Sequence, residues 1–189
     1  VEFDPDLARK LPGQFPGTSL TVVNEDILSF DLSRLPAGYK VVANVPYYIT
    51  SKIVERLMTV ANKPSTVVLL VQKEVAQRLA ATPGDMSILA VSAQLYAEVR
   101  MGDIVPAALF TPPPKVDSAV VILDMRPESQ LGAMSEKTFF RVVKAGFSAR
   151  RKKLRSSLSG GLAISKPEAE ALLGAAAISP DARAEDLTI

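Results

Sequence analysis

Four consecutive residues, Asn44-Val45-Pro46-Tyr47, hold the most suggestive chemistry in the chain. An Asn side-chain oxygen and the main-chain carbonyl ahead of a tyrosine can both accept hydrogen bonds from one NH2 group. An amino nitrogen on an aromatic ring is a poor nucleophile, because its lone pair is delocalised into the ring. Holding both hydrogens favours a more pyramidal, more nucleophilic nitrogen, and a tyrosine face can stack on the ring and fix its plane. The same four residues also make an ordinary strand-end turn, since Asn and Pro are common there; by themselves they leave both readings open. A second segment, Phe110-Thr111-Pro112-Pro113-Pro114-Lys115-Val116-Asp117-Ser118, puts an aromatic residue on a proline-stiffened loop. A flipped-out base has two faces to cover, and Tyr47 covers one. Phe110 either covers the other or plugs the core beneath its loop.

Composition narrows the chemistry. The 189 residues include no Cys and no His. Thiolate metal sites, disulfides, a cysteine nucleophile and an imidazole base are excluded. No metal site is expected. Group transfer from a reactive cofactor suits a chain so restricted, and holding an aromatic amine needs no base before attack. No apolar run approaches the length of a membrane helix, and the start Val-Glu-Phe-Asp-Pro-Asp has no signal-peptide character. A soluble, cytoplasmic protein is expected.

These residues need elements to position them. Val1-Glu2 reads as the end of a strand, 4–11 as a short helix stopped by Pro12-Gly13, and 19–24 as a buried strand. A strand over 39–43 runs into Asn44. Thr50 or Ser51 could cap a helix to about Val60. A strand over 66–71 follows, then helices over 73–81 and 86–98. This alternation predicts a mostly parallel sheet covered on both faces. Ligands bind beyond the carboxyl ends of strands in such sheets, which is where residues 44–47 fall. Strands over 99–105 and 116–125 are expected to form an antiparallel pair at the sheet edge. From Ser135 onward the pattern is helical only, over 137–147, 150–158, 167–173 and a stretch after Pro180. Residues 126–133 read as a linker.

The two segments together, in this order and 66 residues apart, resemble the ribosomal RNA adenine dimethyltransferases. Phe110 starts that family's pattern Phe-x-Pro-x-Pro-x-Val-x-Ser. The flanks Tyr48-Ile49-Thr50-Ser51 and Ala119-Val120-Val121 are similar too. So are Phe147-Ser148-x-Arg150-Arg151-Lys152-x-Leu154 and Arg183-x-Glu185-Asp186-Leu187. The resemblance implies a Rossmann-like α/β class I S-adenosylmethionine methyltransferase domain over 1–127, followed by a small helical rRNA-binding domain over 134–189. It implies dimethylation of N6 of two adjacent adenosines in small-subunit rRNA, in a pre-30S context, by a monomer. Asn44 and Pro46 would hold the target amine, and Tyr47 and Phe110 would sandwich the base. Glu2 would bind the cofactor ribose, Asp26 its adenine amino group, Ile27 its adenine ring, and Asn44 would border the cofactor; a turn cap is the plainer role for Asp26. The family has a strand and a glycine-rich turn ahead of Glu2, so the domain is expected to be incomplete at its N-terminus. A sheet with an exposed edge or gap, weak cofactor binding and inactivity of the chain alone would follow. Glu25 stands where glycine is frequent, and Ile189 falls slightly short of the family's last helix.

Charge is the remaining signal. Residues 141–155 contain seven Lys or Arg and no acid, leaving 15 basic against 20 acidic residues elsewhere. A basic block on an acidic chain suggests a polyanion-facing surface. Arg141, Lys144, Arg150, Arg151, Lys152, Lys153 and Arg155 are expected on helices whose Phe139, Phe140, Val142, Val143, Phe147 and Leu154 turn inward. With Lys115, they are the expected phosphate contacts. Two rival readings stand beside the small-subunit enzyme: the large-subunit methylase of the macrolide-resistance type, and a non-catalytic factor that binds rRNA or assembling subunits.

Overall fold

A computed structural model of the chain describes residues 1–128 and 130–189. Helix α1 spans Pro5–Gln14; Asp4 caps it by accepting from the N–H groups of Asp6 and Leu7, and Pro5 occupies its first turn. The helix continues through Pro12 and Gly13 instead of stopping at Leu11. Residues 19–24 do not form the expected buried strand. Their one ladder contact is the parallel bridge between Glu2 and Asn24, and Ser19, Leu20, Thr21 and Asn24 are exposed. An extended segment without a partner along its length leaves its backbone groups to water.

The sheet is built from β1 (Lys40–Asn44), β2 (Thr66–Gln72), β3 (Ala97–Val105) and β4 (Ser118–Met125), in the order β1-β2-β4-β3. Only β1 and β2 are parallel; β4 runs antiparallel to both β2 and β3. The expected β3–β4 pair is present, but the sheet is not mostly parallel. A parallel crossover needs a helix-length connection. β1 and β2 have one in α2 (Thr50–Thr59), whereas the chain leaves β3 through a loop and turns straight back as β4. Val67, Leu69 and Val71 of β2 stand opposite Leu123, Val121 and Ala119 of β4, and all six are fully buried. They form the centre of the large core with residues such as Leu57 and Met58 of α2, Leu79 of α3 (Lys73–Leu79) and Ala93 of α4 (Ile88–Gln94). Val68, Leu70, Val120 and Ile122, on the other face, are only partly buried. At the sheet edge, Val42 of β1 is 80% exposed.

α2 begins at Thr50 with no side-chain cap; the Thr50 hydroxyl donates to the Pro46 carbonyl instead. α4 ends at Gln94, before the expected 98, because Ala97 already pairs with Met125 in the sheet. Of the expected linker 126–133, position 129 lies outside the described residues. Three further helices follow: α5 (Glu136–Gly146), α6 (Leu154–Leu162) and α7 (Lys166–Ala175). Phe139 and Phe140, in edge-to-face contact at 5.3 Å, pack against the large core. Ala145, Leu154, Leu158, Ala169 and Leu173 form a second core, so α5 belongs to both. Residues 150–153 are not helical, and the end of the chain contributes a single 3-10 turn at Ala184–Asp186. Among the described residues, no helix is long and apolar enough to cross a membrane.

Candidate active site

Antiparallel pairing brings four strand ends to one edge. Ser118, the first residue of β4, stands opposite Gln72 at the end of β2 and Val105 at the end of β3. Asn44 ends β1, parallel to β2, so its corner lies at the same edge. The Phe110 loop connects β3 to β4 here. A hydrogen bond of 2.7 Å joins the Tyr47 and Ser118 hydroxyls, tying the corner to the base of that loop. Asp117 closes the loop: its Oδ1 accepts from Ala107 N–H at 3.0 Å and its carbonyl from Lys73 N–H at 3.0 Å. The two segments that sequence reasoning singled out therefore meet. Ser118 was missed as a contributor, although it is the closing Ser of the quoted nine-residue pattern.

Glu2, Asp26, Ile27, Asn44 and Pro46 line one cavity of about 510 Å³. Glu2 Oε1 accepts from Asp4 N–H at 2.8 Å, and Asp26 Oδ1 accepts from Leu28 N–H at 2.9 Å. Asp26 thus does cap a turn, and among the described residues each carboxylate keeps its second oxygen uncommitted. Ile27 is half-buried against the large core. The exposed Asn44 side chain has no hydrogen-bond partner among the described residues, so its oxygen is available. The acceptor role expected of Pro46 meets an obstacle. Its carbonyl already accepts from Ile49 N–H at 3.2 Å and Thr50 Oγ1 at 3.3 Å, which occupies both lone pairs. The longer bond, from Thr50, must give way before an outside amine can be held there.

Tyr47 and Phe110 are not among the residues lining this cavity. Both are half-buried, and Phe110 belongs to none of the three hydrophobic clusters. It is therefore not a core plug. Tyr48, quoted in the sequence only as part of a family-like flank and given no role there, lines the cavity and is 87% exposed. Just ahead of β1, burial pushes the Tyr39 phenol up, against the opposing pull of Arg56. Its hydroxyl is buried without a hydrogen-bond partner among the described residues.

The basic block divides in two. Lys153 pairs with Asp181 at 3.0 Å, Arg155 with Asp181 at 3.2 Å and Glu170 at 3.5 Å, and Arg150 approaches Glu185 at 3.9 Å. The acids come from α7 and the segment after it, so a run without an acid in sequence gains acids in space. Arg141, Lys144, Arg151 and Lys152 are exposed and form no ion pair among the described residues. Val142, expected inward, is 43% exposed. Lys115 is exposed and borders a separate hollow of about 410 Å³ with Lys73 and Asp117. Main-chain N–H groups of Gly84 and Met86 donate to the Glu185 carbonyl, clamping the end of the chain to the α3–α4 connection.

Known proteins share both the sequence and the fold. The profile of the family described as ribosomal RNA adenine dimethylase matches residues 1–189. The chain is similar to the ribosomal RNA small subunit methyltransferase A of Dehalococcoides mccartyi, with 39% identity over all of this chain and 66% of the relative. The protein of that name from Desulfitobacterium hafniense is 40% identical over 69% of its length. The chain thus spans about two thirds of the length of these relatives. Among solved structures, the 23S rRNA methyltransferase ErmE is similar at 28% identity and a TM-score of 0.80, covering 99% of this chain and 75% of that one. A dimethyladenosine transferase from Plasmodium falciparum shares the fold, at 22% identity and a TM-score of 0.77, with 98% and 75% covered. The α/β sheet with its flanking helices is a Rossmann-like methyltransferase fold.

Proposed function

The chain belongs to the ribosomal RNA adenine dimethylase family, and on that premise we propose that it dimethylates N6 of two adjacent adenosines in small-subunit rRNA, using S-adenosylmethionine. One observation carries the reading: the uncommitted Asn44 amide borders the same cavity as Glu2, Asp26 and Ile27, beside a Tyr47 anchored to the Phe110 loop. Two carboxylates with a free oxygen each and an apolar Ile27 suit a cofactor with ribose hydroxyls, an amino group and a flat ring. When bound, the cofactor supplies an electrophilic methyl group.

The chain's own residues do the rest. Asn44 Oδ1 accepts one hydrogen of the target amine, and the Pro46 carbonyl accepts the other once Thr50 releases it. Tyr47 and Phe110 hold the base between them. Orienting an amine in this way lowers the barrier through hydrogen bonds aimed at the transition state. Residues 1–127 are the catalytic part and 134–189 the RNA-binding part. Arg141, Lys144, Arg151 and Lys152, with Lys115, contact phosphates and set register, while sequence choice rests with the target bases. The protein is a cytoplasmic monomer acting on the pre-30S particle. Relatives named for the small subunit, at 39% to 40% identity, favour this target over large-subunit RNA.

The test uses the protein at its natural length. Asn44→Ala lowers the methylation rate by roughly 10²- to 10³-fold, by analogy with losing one oriented transition-state hydrogen bond. Primer extension then maps methyls to small-subunit RNA. A rate within about threefold of wild type removes Asn44 from the mechanism. Methyls confined to large-subunit RNA, or no transfer by the wild type, select one of the rival functions.

A further inference from the structure

We infer that Ser118 is a positioning residue for the target base, acting through Tyr47; this rests on the methyltransferase reading above. Ser118 is fully buried, and its backbone is held on both sides by pairing with Gln72 and Val105. Its side chain is therefore a fixed anchor. The 2.7 Å bond to the Tyr47 hydroxyl attaches that anchor to the far end of the tyrosine ring. A tyrosine held only at Cβ swings about χ1; held at both ends, its axis is fixed and rotation about that axis alone remains. The strand start that fixes Tyr47 also roots the Phe110 loop, because the adjacent Asp117 accepts from Ala107 N–H and Lys73 N–H. One short stretch, 117–118, thereby sets both the placement of one stacking ring and the exit of the loop that carries the other.

Folding alone does not call for this pair. A buried hydroxyl is costly without a partner, and among the described residues Tyr47 is the side-chain partner Ser118 has. Ala at 118 with Phe at 47 would fill nearly the same space with no polar group to satisfy, an exchange that is close to neutral for stability. The hydroxyl pair adds direction, which matters where a ring must meet a base in one orientation.

The experiment compares Ser118→Ala, Tyr47→Phe and the double variant in the protein at its natural length, alongside Asn44→Ala. Ser118→Ala is expected to lower kcat by about tenfold, since small misplacements of a positioning group cost about that or more. Cofactor affinity, and the thermal midpoint of the double variant, stay close to wild type, a split that a merely structural role would not produce. Tyr47→Phe, which keeps the ring and removes the same bond, falls equally, and the double variant falls no further than either single one. A kcat for Ser118→Ala within about twofold of wild type overturns the inference, as does a double variant whose loss is the product of the two single losses. If Ser118→Ala does not fold, Tyr47→Phe decides by the same thresholds. Where Asn44→Ala is impaired and Ser118→Ala is not, only this inference fails. Where the wild type transfers no methyl to RNA, or Asn44→Ala is unimpaired, the functional reading fails and this inference with it.

Discussion

Two neighbouring glycines in α6 should respond to alanine with opposite signs. A Cβ built on Gly161 would lie 2.6 Å from both Cα and Cβ of Ala145 in α5, and 3.0 Å from its carbonyl oxygen. Ordinary carbon–carbon contacts lie at about 3.5–4.0 Å, so the two helices must separate by about 1 Å. Two of the three atoms met are backbone, so a rotamer change cannot absorb the clash. Overpacking of this kind costs about 1–3 kcal/mol, and the helix-propensity gain of Gly→Ala offsets at most about 1 kcal/mol. After that offset Gly161→Ala should lose up to about 2 kcal/mol, a Tm decrease of up to about 8 °C for a chain of this size. At Gly160 an added Cβ meets nothing within 4 Å. Gly160→Ala should gain up to about 1 kcal/mol from propensity alone. Thermal and urea denaturation of the two variants side by side measure both. The pair shares a helix, a chemistry and nearly an address, so only the α5–α6 contact separates the outcomes. A Gly161→Ala protein as stable as Gly160→Ala would refute the close approach of Gly161 to Ala145.

Three further outcomes follow from the charges. Asp181 is held below its ordinary value of 3.8, mainly by its hydrogen bond with Lys153 and further by Arg155. A carboxyl lowered on folding stabilises the fold above its unfolded value, and that contribution fades as pH falls through the lowered folded value. The stability difference between wild type and Asp181→Asn should therefore be constant near neutral pH and disappear below 3.8; a difference that persists in stronger acid contradicts the pairing. Charge reversal of Arg151 and Lys152 together should weaken RNA binding and flatten the log–log salt slope by about 1.4–1.8, as expected for losing two phosphate contacts. Lys153→Glu should mainly destabilise the C-terminal unit by facing Asp181; equal salt slopes for the two variants would mean the block is not divided as described.

Much of the site was legible because its parts are local. Asn44-Val45-Pro46-Tyr47 is one covalent stretch at the end of an apolar, β-branched run, and three prolines stiffen the loop after Phe110 whatever surrounds them. Helix α7 was legible for the same reason, since the Ser165 and Glu168 capping box lies within four residues. Cofactor contacts were placed by resemblance, and their gathering around one cavity with Asn44 emerged only in three dimensions.

Short-range chemistry, written in the order of the residues, specifies which of them can hold an aromatic amine, where strands and helices alternate, and which chemistries a chain without Cys and His must do without. Tertiary structure decided everything that rests on partners distant in sequence. β4 enters the sheet between β2 and β3, so most of the pairing is antiparallel. Residues 19–24, despite their apolar pattern, form no strand because a ladder needs a neighbour. Acids at 170, 181 and 185 reach three members of the basic block. The hydroxyls of Tyr47 and Ser118, 71 positions apart, meet at 2.7 Å. Hydrogen bonds and ion pairs fall off within a few ångströms, while separation along the chain says little about separation in space; only the folded register brings such groups within reach.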